Sequence, residues 1–151
     1  MDQRLHKKLE DRIEKGTLRS LSSFDGMIDF FSNDYLGLSK EDFSCEISSY
    51  GATGSRLISG TTPRMLEIES EIAQIFAVQS SLMFNSGYDA NLGLFSSIPQ
   101  RGDTILYDEF IHASVRDGIR LSHAKTISFR HNDIEDLSAK IERSDGSIYV
   151  A

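Results

Sequence analysis

Apolar positions recur every fourth residue at the start of the chain, where Leu5, Leu9 and Ile13 stand among charged residues and Gly16 follows. That spacing predicts an amphipathic helix closed by a glycine C-cap. From Gly16 to Gly60 the periodicity dissolves into Gly, Ser and Asp. It is broken by a strand candidate at Ile28 to Phe31 and by the apolar run Tyr35-Leu36-Gly37-Leu38. A connection beyond about 12–15 residues with no structure of its own is uncommon in a small domain and is usually functional or disordered. The interspersed aromatics favour an ordered one.

Beyond Gly60 the pattern is regular. Thr62 is placed to cap a helix with Pro63 at its first position, and Met65, Ile68, Ile72, Ile75 and Phe76 are expected to line one face. Short β-prone runs follow at Leu82 to Phe84, Thr104 to Tyr107, Thr126 to Phe129 and Ser147 to Val150. Their spacing of roughly 22 residues suits one strand plus one crossover helix. Ser86-Gly87 opens and Pro99 closes the first intervening helix, His112 to Ser122 forms the second, and Asn132 with Glu135 reads as a capping box for the third. Alternating β and α predicts an α/β fold with a largely parallel sheet. The last run, Ser147 to Ala151, looks like a buried strand that needs neighbours on both sides, so a cut from a longer chain is the expectation.

Composition narrows the partners. Sixteen Lys and Arg against 23 Asp and Glu give a net charge of -7, which repels nucleic-acid phosphates and anionic lipid surfaces. The single Cys45 cannot form an intrachain disulfide, and MDQRLHKKLEDR lacks the apolar core of a secretory signal. A reducing, cytoplasmic setting is expected. No apolar run approaches the roughly 18 residues that span a bilayer. Cys45 and His6, His112, His123 and His131 show no metal-ligand spacing, so no metal site is expected.

Three segments carry candidate chemistry. Phe84 to Asn91 passes from a strand candidate into a helix, and Ser86-Gly87 there is either a plain capping turn or an anion site at a helix N-terminus. Tyr107 to Ser114 also follows a strand, at the sheet edge where ligands bind in open parallel sheets. His112 in that segment can stack on a planar ring, accept a proton or simply cap a helix. Gly51 to Gly60 is neither a GxGxxG fingerprint nor a P-loop; it is a flexible loop or a place of close backbone approach to a ligand or subunit. Ser122-His123-Ala124-Lys125 fits a bare Ser-x-x-Lys spacing and, without companion motifs, reads as chance.

Taken in order, the segments resemble the N-terminal part of the α-oxoamine synthases, pyridoxal-phosphate enzymes that condense an amino acid with an acyl thioester and release carbon dioxide. The matching segments are Phe31 to Leu38, Gly54 to Gly60 with Leu66 to Phe76, Phe84 to Leu94, Gly102-Asp103 through Asp108, His112-Ala113-Ser114 with Asp117 to Leu121, and His131-Asn132-Asp133. The resemblance implies part of the large domain of a fold-type I, aspartate-aminotransferase-like transferase. Residues 1–60 would be an N-terminal helix and substrate-side segment, and 61–151 the first part of the cofactor-binding domain.

It implies pyridoxal 5'-phosphate as cofactor, amino-acid and acyl-thioester substrates, and a homodimer with its active site between subunits. Ser86, Gly87 and Tyr88 would hold the cofactor phosphate. His112 would stack on the pyridine ring and orient the substrate. Asn33 would lie near the substrate carboxylate, and Arg19 would match an N-terminal arginine that contacts substrate. Met65 stands where many members carry a histidine. The lysine that holds the cofactor lies further along in the family, and Lys7, Lys8, Lys15, Lys40, Lys125 and Lys140 do not match its context. Residues 1–151 alone are therefore expected to be inactive and unstable. The rival readings are a non-catalytic α/β module that binds phosphate at Ser86-Gly87 and a pseudoenzyme that pairs with a partner.

Overall fold

A computed structural model describes residues 3–21, 26–30, 32–42 and 51–151. It divides into two compact units, Met1–Ser49 and Tyr50–Ala151, each taken here by itself. Among the described residues no helix is long and apolar enough to cross a membrane.

In the first unit the expected helix forms as α1, Gln3–Glu14. Gly16 takes φ 62°, and the Thr17 N–H reaches back to the Arg12 carbonyl at 2.9 Å, which ends the helix as a glycine cap should. The strand expected at Ile28 to Phe31 does not form over Ile28, Asp29 and Phe30, and Phe31 lies outside the described residues. Asp29 instead accepts the Ser32 N–H at 3.0 Å, a local turn that competes with extended pairing. In the apolar run that follows, Asp34 organises a single 3₁₀ turn, Leu38–Lys40. Its carboxylate accepts the Ser39 hydroxyl at 2.6 Å, and that bond holds its pKa below the ordinary value.

The second unit is α/β. Its helices are α2 (Pro63–Ile75), α3 (Gly87–Ser97), α4 (Ala113–Leu121) and α5 (Ile134–Ile141), and its strands β1 (Thr104–Asp108), β2 (Lys125–Phe129) and β3 (Ile148–Val150). The sheet order is β2-β1-β3 with both pairings parallel, as the alternation predicts. β1 is central and buried on both faces. Ile105 and Leu106 are wholly buried, and Ile105 forms the core with Val115 and Ile119 of α4, flanked by Phe95 and Tyr149. Burying a side chain of that size contributes about 1.5–3 kcal/mol.

Three expectations shift. Leu82 to Phe84 is not a strand; all three residues are at least 39% exposed, and the Met83 N–H donates to the Glu69 side chain at 2.7 Å rather than to a sheet. The covered face of α2 runs through Met65, Glu69, Ile72 and Ala73, while Ile75 and Phe76 are exposed. The apolar pattern misses this because Glu69 is buried by virtue of its partner, Arg56. Finally, α5 is capped by Asp133, whose side chain accepts the Asp136 N–H at 2.9 Å. Asn132 takes φ 54° instead and turns the chain into that cap.

Candidate functional site at two helix N-termini

Ser86 caps α3 as the sequence predicts. Its hydroxyl accepts the Asp89 N–H at 3.1 Å and donates to the Asp89 carboxylate at 3.0 Å. The Ala90 N–H closes on the Ser86 carbonyl. That leaves the Gly87 and Tyr88 N–H groups without an acceptor among the described residues, and a Cβ added to Gly87 would meet nothing within 4 Å. An accessible pair of donors at the positive end of a helix dipole suits a phosphate. The fit comes from the backbone, since the Ser86 hydroxyl is already engaged.

His112 caps α4. Its Nδ1 accepts the Ser114 N–H at 3.2 Å and lies 2.7 Å from the Ser114 Oγ, while the residue itself stays exposed. The capping and ligand-facing readings of His112 are thus compatible, because one ring nitrogen caps and the ring remains accessible. Ser114 is fully buried and also receives the Asn91 side-chain amide at 3.0 Å.

The two helix ends are held side by side by a repeated offset. Asn91 meets Ser114, Phe95 meets Gly118, and the Pro99 carbonyl accepts the Ser122 hydroxyl at 3.3 Å, each pair four residues beyond the last along both segments. α3 and α4 therefore run in the same direction, and Ser86-Gly87-Tyr88 and His112 share one end of the layer. A second cross-link lies at that end. The Tyr88 hydroxyl donates to Asp117, which also binds Arg120 at 2.9 Å. The hydrogen bond raises the Tyr88 pKa, and the same bond, with help from Arg120, lowers that of Asp117.

Arg19 and Asn33 belong to the first unit and are exposed there. Cys45 lies outside the described residues. Ser122 spends its hydroxyl on Pro99 and on the Ala124 N–H, a structural role. Among the described residues no cluster of His, Cys, Asp and Glu is arranged to hold a metal.

The rest of the candidate segments in this unit is held by bonds that the sequence pattern did not show. Asp108, at the end of β1, accepts His131 Nδ1 at 2.9 Å and the Asn132 N–H at 3.1 Å. Burial raises the Asp108 pKa, but the Phe110 N–H, His131 and the Asn132 N–H outweigh it and hold it low. The Gly51 to Gly60 loop is a built turn. Ser55 gathers the Ile58, Ser59 and Gly60 N–H groups on its carbonyl, and a Cβ at Gly60 would strike the Gly54 carbonyl. Arg56 in that loop binds Glu69 through both guanidinium nitrogens, at 2.6 and 2.9 Å. A signal for Asn91 was present in the sequence, since it lies three residues past Tyr88 on the same helix face.

The sequence and the α/β fold are matched by known proteins. Residues 25–150 match the family described as Aminotransferase class I and II, and the chain belongs to it. It is 40% identical over 148 residues to the 8-amino-7-oxononanoate synthase of Emericella nidulans, a match covering 90% of this chain and 35% of the relative. Among solved structures, the 8-amino-7-oxononanoate synthase of Francisella tularensis aligns with a TM-score of 0.59 at 29% identity, over 77% of this chain and 34% of that one. A serine palmitoyltransferase solved with pyridoxal phosphate aligns with the same TM-score at 34% identity, over 62% of this chain and 23% of that one. The resemblance to the α-oxoamine synthases stands, and the fold is part of a fold-type I large domain. The chain spans 30% to 42% of the length of the curated relatives it matches.

Proposed function

We propose that this chain forms the N-terminal part of a pyridoxal-phosphate-dependent α-oxoamine synthase, an 8-amino-7-oxononanoate synthase that joins alanine to a pimeloyl thioester with loss of carbon dioxide. The observation that carries the reading is the pair of N–H groups at Gly87 and Tyr88, without an acceptor among the described residues, on the same end of the layer as His112. Relatives of that name and the solved serine palmitoyltransferase with pyridoxal phosphate support it. When bound, the cofactor supplies an electron sink for negative charge at the amino acid's α-carbon.

The chain's own residues bind and orient. Gly87 and Tyr88 hold the phosphate by backbone donors, and the Tyr88–Asp117–Arg120 link fixes the helix end that presents them. His112 offers its ring face and Nε2 to the reacting groups. Asn33 is assigned to the substrate carboxylate and Arg19 to a contact with substrate. The lysine that anchors the cofactor is assigned to the further length the relatives carry, and the other side of the site to a second subunit.

The test is an assay of the full-length protein with alanine, glycine and serine against a panel of acyl thioesters. Alanine with pimeloyl thioester is expected to give the highest kcat/KM. A preference for glycine with acetyl thioester would assign a glycine C-acetyltransferase instead, and serine with a long acyl chain a serine palmitoyltransferase. His112→Ala is expected to lower kcat by about 10²-fold through lost orientation. Cofactor retention, read from visible absorbance, is expected to persist. An unchanged kcat would remove His112 from the site.

A further inference from the structure

We infer that Asn91 and Ser114 form a hydrogen-bond chain that sets the tautomer of His112, placing its proton on Nε2 and making both residues positioning residues for the imidazole. The inference rests on the reading that His112 works in the site, but the chain itself is defined by geometry alone.

A backbone N–H can only donate, so the Ser114 N–H, at the longer distance of 3.2 Å, favours His112 Nδ1 as an acceptor, and the closer Ser114 hydroxyl decides the matter. The Asn91 amide donates to the Ser114 Oγ at 3.0 Å. The Oγ then directs its own hydrogen to Nδ1, 2.7 Å away. With the single lone pair of Nδ1 taken chiefly by the hydroxyl and shared with the more distant Ser114 N–H, the ring proton sits on Nε2. Ser114 is fully buried, so water cannot replace either of its partners. The donor that starts the chain sits on α3, whose N-terminus carries Gly87 and Tyr88, while the acceptor caps α4. A shift between the helices therefore changes the hydrogen-bonding state of the histidine along with the position of the anion-binding amides. The other charged or titratable groups near these ends are engaged elsewhere, Asp89 with Ser86, Arg116 with the Glu109 carbonyl and Asp117 with Arg120, and none bonds to the imidazole.

The experiment is ¹⁵N NMR of histidine-labelled full-length protein, with His112 assigned from the signal lost in His112→Gln. Wild type is expected to show a pyridine-type Nδ1 and a pyrrole-type Nε2; the reverse would overturn the inference. Asn91→Asp places a carboxylate where the amide was, which draws the Ser114 hydroxyl hydrogen away from Nδ1 and lets Oγ accept. The His112 proton is expected to move toward Nδ1, and kcat to fall by about 10- to 10²-fold with little change in KM. An unchanged His112 spectrum in a folded Asn91→Asp protein would refute the chain.

Should that variant fail to fold, Ser114→Ala and the Asn91→Ala/Ser114→Ala pair decide the question. Ser114→Ala is expected to shift the Nδ1 resonance, and Asn91→Ala added to it to change nothing more at His112. A further shift in the double variant would show that Asn91 acts by another route and overturn the inference. A moved proton with unchanged kcat upholds the chain and removes instead the reading of His112 as a working residue.

Discussion

Gly118→Leu is expected to destabilise the full-length protein by about 1–3 kcal/mol, the usual cost of forcing extra carbon into a packed site. Gly118 is a point of close approach between α3 and α4. A Cβ there would lie 3.0 Å from the Asn91 carbonyl oxygen, 3.0 Å from the Phe95 Cβ and 3.1 Å from the Leu92 carbonyl oxygen. Two of those three atoms are backbone and cannot rotate away, so the helices must separate. Gly118→Ala meets the same wall with one carbon, and its gain of about 1 kcal/mol in helix propensity offsets much of the strain. The alanine variant is expected to unfold near the wild-type denaturant midpoint and the leucine variant well below it. Equal midpoints for leucine and wild type would show that the helices are not in contact at this position. Separation would also pull Asn91 from Ser114 and Tyr88 from Asp117, so lost phosphate affinity is expected to accompany lost stability.

Glu69→Ala is the second change of large expected effect. Glu69 is 8% exposed, its carboxylate holds both Arg56 nitrogens and the Met83 N–H, and its carbonyl accepts the Ser81 hydroxyl. One residue thereby ties the Gly54 to Gly60 turn, α2 and the segment leading to α3. Truncation leaves a half-buried guanidinium and a backbone donor without partners, the costly half of breaking a pair. The unfolding midpoint is expected to drop further than for Arg64→Ala, whose partners are exposed.

The pair also predicts a pH response. The Arg56 bond, then the Met83 N–H, hold the Glu69 pKa down to about 2, against an ordinary 4.5. Because the folded value is the lower one, ionised Glu69 stabilises the fold fully above about 4.5, and that contribution fades as pH falls toward about 2. Glu69→Gln is expected to be less stable at neutral pH and to lose less than wild type across that interval. Parallel curves for the two proteins would exclude the ion pair as a source of acid sensitivity.

What the sequence makes legible here is whatever neighbouring residues decide among themselves. Thr62-Pro63, Ser86-Gly87 and His112 mark helix starts because a cap is a bond across three residues, and the hydrophobic runs of β1 and β2 need only their own β-branched and aromatic content. The helix-end candidates for anion and imidazole chemistry were visible for the same reason. The failures are matters of distant partners. Leu82 to Phe84 has strand composition, but a strand is made by a neighbour. Glu69 looks like a solvated charge until Arg56, 13 residues earlier, is folded onto it. Asn91 and Ser114 each lie in a candidate segment, but only the constant offset between α3 and α4 turns them into a pair. The capping box slipped by one because Asn132 and Asp133 are equally good caps on paper, and the left-handed backbone at Asn132 chooses between them.

The pairing of β3 with β1 has a bearing on how the chain acquires its shape during synthesis. The Ser147 N–H is tied to the Asp103 side chain across 44 residues, and Gly146, at φ 75°, abuts the Gly102 carbonyl where no side chain fits. At about 5–20 residues per second, a ribosome needs roughly two to nine seconds to make the intervening stretch. Throughout that interval one edge of β1 is an open row of backbone donors and acceptors, flanked by the apolar surface of Ile105 and Leu106. The central strand of this unit is thus its period of greatest exposure to misplaced partners, and the glycine contact at Gly102 and Gly146 is the latch that ends it.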